Sequence, residues 1–317
     1  MLISRVDEIF IDDLFVDVGA ILDASIVLKC EAFNFGGSIK LKAAVSMVDA
    51  AESSGRLRPD SVLVESSSGN LGVALSIIAA SRGYDFVCVT DARANVTNLK
   101  YIRATGASVV VIEEAPGRDY LSRRIEYVEQ LCRSDERVVW LNQYANDENW
   151  RAHYRTTGPA IAKAYPDAEA VYIGAGTTGT LMGCAHYLRE IGHPARIVAI
   201  DSVGSVLLGG GPMKPRFIPG IGSSRQPEIF DGSLVDDVVL VEEADTIRMC
   251  RRLVRSGFLF GGSTGTVLAG ALQHRGRCRV DDTAVGVAIA PDLGERYLDT
   301  MYDDGWVEER FGSLEGP

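Results

Sequence analysis

The 317-residue sequence predicts an α/β protein made of two doubly wound, open parallel-sheet domains. Three observations predict it. Eight short, β-branched apolar runs recur at 61–65, 86–90, 108–112, 137–141, 171–173, 197–200, 238–241 and 285–289. They are too short for helices and too uniformly apolar for strands with a wet face, so they read as strands buried on both sides. Longer stretches with apolar residues at helical spacing lie among them, at 71–80, 120–131, 181–188 and 247–254. Strand and helix in alternation call for crossover connections and a parallel sheet. Gly83, Gly106, Gly192 and Gly257 each follow a helical stretch, where the chain must take a left-handed turn. At about 150 residues per domain the length suits two domains. No linker divides the chain, so the domains exchange segments and the cleft between them is the expected ligand site.

Along the chain, residues 1–20 hold Asp7, Glu8, Asp12, Asp13 and Asp17, which fits neither a secretory signal nor a transit peptide. No apolar run approaches ~18 residues, and the protein is expected in the cytoplasm. Lys40 opens an apolar helix directly after Gly36-Gly37-Ser38. The loop at 204–227, with Gly209-Gly210-Gly211, Pro212, Pro215, Pro219 and Gly220, is long enough to be functional. Hydrophobic residues at 46% and charged residues at 24% exclude a disordered or fibrous chain. The net charge of −11 repels nucleic acid and anionic membrane, so neither is an expected partner. The six cysteines form no C-x-x-C pair, and no metal site or disulfide framework is expected. Cys88 and Cys184 sit in apolar runs as buried thiols, which suits a reducing compartment.

Four glycine-rich segments stand at strand-to-helix junctions, where backbone N–H groups and a helix N-terminus make an anion site. They are Gly36-Gly37-Ser38-Ile39-Lys40, Ser66-Ser67-Ser68-Gly69-Asn70, Gly174 to Thr180, and Gly261-Gly262-Ser263-Thr264-Gly265. None has P-loop spacing, and the third lacks the last glycine and the downstream acid of a dinucleotide fingerprint, so nucleotide binding is disfavoured. Lys40 sits where an amine can be desolvated and made nucleophilic. Taken singly, such a lysine also reads as a solvated helix start, and the serines and threonines as helix caps.

In this order, over nearly the whole chain, the segments resemble the cysteine synthase family of fold-type-II pyridoxal-phosphate enzymes, which share the fold of the tryptophan synthase β subunit. Asn34 to Lys40 is similar to the family's Asn-Pro-x-Gly-Ser-x-Lys segment, which implies Lys40 as the cofactor lysine and catalytic base. Phe35 departs from that pattern, as does Leu41-Lys42 after the lysine, and Lys42 is a rival amine. The resemblance implies that Ser67, Ser68, Gly69 and Gln143 receive the substrate carboxylate and that Asn70 meets the cofactor's phenolic oxygen. It makes Gly176, Thr177, Thr178, Gly179 and Thr180 the phosphate cup; the stretch His153 to Pro159 also corresponds. Ser263 then offers the pyridine nitrogen a neutral hydrogen bond, a weak electron sink that favours β-elimination over transamination. The implied domains are 1–35 with 147–317, larger and cofactor-binding, and 36–146, smaller, mobile and substrate-binding.

A narrower resemblance is to the branch of this family that joins O-phospho-L-serine to L-glutamate, a step towards L-2,3-diaminopropionate for siderophores and antibiotics. It is carried by Asn142 to Asn146 with Asn149-Trp150, by Pro219 to Gly222 with Ser224-Arg225, and by Pro291-Asp292 with Gly294 and Arg296 to Asp299. It implies Arg124 and Tyr144 for the glutamate carboxylates, while Arg225 suits the phosphate leaving group. From the residues alone Arg124 could be a solvated helix arginine, Tyr144 a packed ring and Arg225 the partner of a surface acid. A cysteine synthase using sulfide with O-phosphoserine or O-acetylserine stays open, as does a non-catalytic binding or regulatory protein. The expected partners are small-molecule substrates and a second copy of the chain in a homodimer.

Overall fold

The computed structural model describes residues 2–113, 119–209, 211–278 and 283–314. The chain forms two compact units, one of Met1–Phe10 with Phe33–Arg151 and one of Ile11–Ala32 with Ala152–Pro317. All eight expected strands form, with two more near the start. In chain order they are β1 (Phe15–Asp17), β2 (Ile26–Cys30), β3 (Val62–Ser66), β4 (Asp85–Asp91), β5 (Ser108–Ile112), β6 (Val138–Trp140), β7 (Ala170–Gly174), β8 (Arg196–Ser202), β9 (Asp237–Val241) and β10 (Gly286–Ala290). Asp17 and Lys29 interrupt the apolar pattern of β1 and β2, which is why these two are hard to read from sequence.

The smaller unit is a four-stranded parallel sheet of order β5-β4-β3-β6. The chain moves outward from β3 through β4 to β5, then returns to β6 on the other side of β3. That reversal makes a topological switch point, where the carboxyl ends of β3 and β6 flank a crevice suited to a ligand. The helices Lys40–Ser53 and Asn70–Arg82 bury Leu41, Ala44, Met47, Leu71 and Ile78 together with Leu63 and Phe86 of the sheet. The opposite face, with Val64 and Val89, takes Val128 of the helix Tyr120–Ser134. Helices on both faces explain why these strands are apolar throughout.

The larger unit holds a six-stranded sheet of order β1-β2-β10-β7-β8-β9. Among the described strands only β1 is antiparallel, paired with β2 through a short connection, against the all-parallel expectation. The chain runs from β7 outward through β8 to β9 and comes back to β10 beside β7, so a second switch point lies beyond Gly174 and Ala290. The helix Gly262–Cys278 packs Val267, Leu268 and Ala271 on Tyr172, Val198, Ile200 and Ala288.

The four glycines read as helix stops adopt φ of 78°, 89°, 65° and 88°, the left-handed region where a Cβ costs most. Residues 2–10, 33–35 and 147–151, assigned by sequence to the larger unit, lie in the smaller one. The cause at the N-terminus is Asp7, a buried carboxylate that accepts from Arg82 Nε at 2.9 Å. Cys88 and Cys184 are buried as expected, and desolvation pushes the Cys88 thiol up to about 12. Among the described residues no helix is long and apolar enough to cross a membrane.

Candidate active site

In the smaller unit three loops carry the expected residues. Asn34 organises the first: its Oδ1 accepts from the Gly36 amide at 2.9 Å and its Nδ2 donates to Ser38 O at 3.1 Å, with Gly37 at φ 59°. This turn delivers Lys40, half-buried, as the first residue of its helix. The second loop leaves β3. Ser67 Oγ accepts from the amides of Gly69 and Gly72 at 3.3 and 3.0 Å, so this hydroxyl shapes the start of the helix that Asn70 opens. Ser68 and Gly69 stand half exposed beside it. The third loop follows β6, where Asn142 turns left-handed at φ 53° and Gln143 is buried. Gln143 Nε2 donates to Ser66 O at 3.2 Å and its own carbonyl accepts from Asn149 Nδ2 at 2.6 Å. The structure thus joins Gln143 to the Ser67–Asn70 loop.

In the larger unit the loop after β7 makes an anion cup. Thr178 takes a left-handed φ of 66°, unusual for a β-branched residue, and its buried Oγ1 has no protein partner among the described residues. The helix Gly179–Glu190 therefore begins without a side-chain cap, its first amides left for an anion. A Cβ at Gly176 would sit 2.7 Å from Gly220 O, so only glycine admits this approach. The same loop is fixed by Gly222 N donating to Ala175 O at 2.7 Å. Gly220, at φ 108°, lies so near Ser263 that a Cβ there would strike its Oγ. The Ser263 hydroxyl itself makes no hydrogen bond to protein among the described residues. Gly261 N donates to Asp292 O at 2.9 Å, and buried Asp292 accepts from Tyr297 at 2.5 Å.

Behind the cup runs a buried chain that the sequence reading did not resolve. Thr180 Oγ1 lies 3.3 Å from His153 Nε2, and His153 Nδ1 lies 3.1 Å from Thr157 Oγ1. Thr157 donates to Glu31 Oε1 at 2.9 Å, and Glu31 pairs with Lys29 at 3.1 Å. Thr157 has one proton and spends it on Glu31, so His153 Nδ1 must be the donor to Thr157. The sequence signal was Lys29 and Glu31, charges at the end of an apolar run, which a core admits only as partners.

Of three further expected substrate residues, two stand apart from these loops and one lies on the third. Arg124 is buried, 3.2 Å from Asp91 at the end of β4, so its charge is already met. Arg225 pairs with Glu228 on the surface, as the alternative reading of that arginine had it. Tyr144 is half-buried on the Gln143 loop, its amide donating to Asn142 Oδ1 at 3.3 Å.

Comparison with known proteins draws these features together. The chain is 39% identical over 297 residues to N-(2-amino-2-carboxyethyl)-L-glutamate synthase of Ralstonia nicotianae, covering 92% of this chain and 87% of that one. It is 39% identical over 292 residues to the synthase of the same name from Cupriavidus metallidurans, covering 90% and 84%. Among solved structures, O-ureido-L-serine synthase superposes with a TM-score of 0.88 at 30% identity, over 97% of this chain and 99% of that one. The cup with its orphaned Thr178 hydroxyl fits a phosphate, and the uncommitted Ser263 hydroxyl fits a ring nitrogen. A family model for pyridoxal-phosphate dependent enzymes matches residues 17–289, and the chain belongs to that family of enzymes.

Proposed function

We propose that this enzyme joins O-phospho-L-serine to L-glutamate, giving N-(2-amino-2-carboxyethyl)-L-glutamate and phosphate. The observation that carries this reading is the likeness to two synthases of that name over nine-tenths of the chain. The two glycine-lined switch points support it. Bound pyridoxal phosphate supplies the electron sink that makes the amino acid's Cα–H acidic.

The chain's own residues do the rest. Lys40 holds the cofactor, and its Nζ takes the Cα proton of the donor and returns it to Cα of the product. Thr177, Thr178, Gly179, Thr180 and Gly176 hold the cofactor phosphate, Ser263 meets the ring nitrogen and Asn70 the phenolic oxygen. Ser68, Gly69 and Gln143 receive the donor's carboxylate, with Ser67 shaping the loop they stand on. The Cβ–O bond of O-phosphoserine breaks with its electron pair leaving on phosphate, and the amine of glutamate forms the new Cβ–N bond. Substrate recognition thus falls mainly to the smaller unit and cofactor binding to the larger. Tyr144, half exposed on the Gln143 loop, meets a glutamate carboxylate; Arg124 joins it by exchanging Asp91 for that carboxylate. The resemblance also supports a cytoplasmic homodimer.

Arg225 meets the leaving phosphate by exchanging Glu228 for it, since a dianion attracts a guanidinium more strongly than one surface carboxylate. Phosphate release from O-phosphoserine, compared with acetate release from O-acetylserine, tests this. Arg225→Ala is expected to lower kcat/KM roughly ten- to a hundredfold for the phosphate ester alone. Equal losses on both donors would remove Arg225 from the site.

A further inference from the structure

Glu65 is wholly buried at the end of β3, directly before the Ser66–Asn70 loop. Its Oε1 accepts from the Ser66 amide and from the Trp140 indole, each at 2.9 Å, while Oε2 has no partner among the described residues. Trp140 ends β6, and the chain then turns through Asn142 to Gln143, which donates back to Ser66 O. One carboxyl therefore ties together the two loops assigned above to the substrate carboxylate, and the inference rests on that assignment. We propose that Glu65 is a positioning residue whose protonation sets the affinity for amino-acid carboxylates: its Oε1 holds both loops in either form, and only the ionised form opposes the ligand's charge from behind them.

The surroundings suit such a switch. Desolvation pushes Glu65 up to about 7, against the Trp140 and Ser66 donors that pull it down. On β4 its register neighbour is Cys88, a thiol that burial keeps neutral. Behind β4 the helix Tyr120–Ser134 supplies Arg124, already paired with Asp91. The helix Asn70–Arg82 carries no charge before Arg82, the helix Lys40–Ser53 carries one buried cation, Lys42, and β6 carries none. A ligand carboxylate beside an ionised Glu65 would put two like charges in one poorly solvated site, and one of them must give way.

The test is the affinity of the holoenzyme for L-alanine, which has the common carboxylate and no leaving group, between pH 6 and 8.5. Wild-type affinity is expected to fall roughly tenfold as pH rises, with a midpoint near 7. Glu65→Gln, isosteric and uncharged, should bind with no such inflection. L-Alaninamide, lacking the carboxylate, should not distinguish the two proteins. Trp140→Phe removes a donor to the carboxylate, so its midpoint should move to higher pH, and the Trp140 emission of the wild type should titrate at the wild-type midpoint. Identical L-alanine profiles for wild type and Glu65→Gln would overturn the inference, as would a difference that persists with the amide. Should Glu65→Gln fail to fold, an unmoved midpoint in Trp140→Phe overturns it equally. L-Alanine has no leaving group, so a failed O-phosphoserine reaction with an intact inflection refutes the donor assignment and leaves Glu65 its role.

Discussion

Lys40 and Lys42 lie on one helix, and two residues of α-helix turn about 200°, so the two amines leave opposite sides of it. Lys42 is only 5% exposed within the helix's buried set, whereas Lys40 is half-buried at the first turn beside the Asn34 loop. Borohydride reduction of the holoenzyme followed by peptide mapping should therefore label Lys40; a label on Lys42 would reassign the site. Glu65 adds a stability signature. Its ordinary value is 4.5 and the fold raises it to about 7, so the folded state prefers the neutral form. The stability this contributes is complete below about pH 4.5 and is lost as pH rises through 7. Melting temperatures across that window should fall more steeply for wild type than for Glu65→Gln. The turns at 34–40, 67–70 and 174–180 were legible as loops because their glycine spacing is local. The Arg124–Asp91 pair was not, because 33 residues separate the two and only the folded chain brings them together, whereas the Glu228 that Arg225 meets is three residues away.

At the scale of elements, the segment from Gly204 to Pro227 matters more than its composition suggests. Glu243 accepts from the amides of Phe217 and Ile218 at 2.8 and 2.7 Å, and burial raises this carboxyl while those donors lower it. The loop so anchored lays Gly220 against both Gly176 and Ser263. A methyl at Gly176 must displace the Gly220 carbonyl, which is backbone and cannot rotate away. Gly176→Ala is expected to destabilise the protein by roughly 1–3 kcal/mol and to weaken pyridoxal-phosphate affinity, read by titrating apoenzyme with cofactor. Gly276→Ala, in the last turn of its helix with nothing within 4 Å, is the control and should be neutral or stabilising. An equal loss of affinity in both would show that the cup does not depend on this approach. The eight expected strands were legible because each is a short, β-branched apolar run, even where β5 and β9 lie at sheet edges with Val111 and Val238 exposed. The close approach of Gly220 was not, since nothing local in residues 204–227 says which backbone the loop will meet.

For the whole molecule, the net charge of −11 sets a problem that the two switch points answer. Anionic substrates and an anionic cofactor approach an acidic protein, so binding must come from local donors. In each unit the sheet order reverses, and the carboxyl ends of β3 and β6, and of β7 and β10, present amides and hydroxyls there. The same loops would serve a cysteine synthase, because the cofactor half of the chemistry is shared and only the second nucleophile differs. The most direct measurement is mass spectrometry of the products when holoenzyme receives O-phospho-L-serine with L-glutamate, with sulfide, or with both. The account predicts N-(2-amino-2-carboxyethyl)-L-glutamate and released phosphate whenever glutamate is present. Cysteine with sulfide, together with no adduct of glutamate, would contradict it.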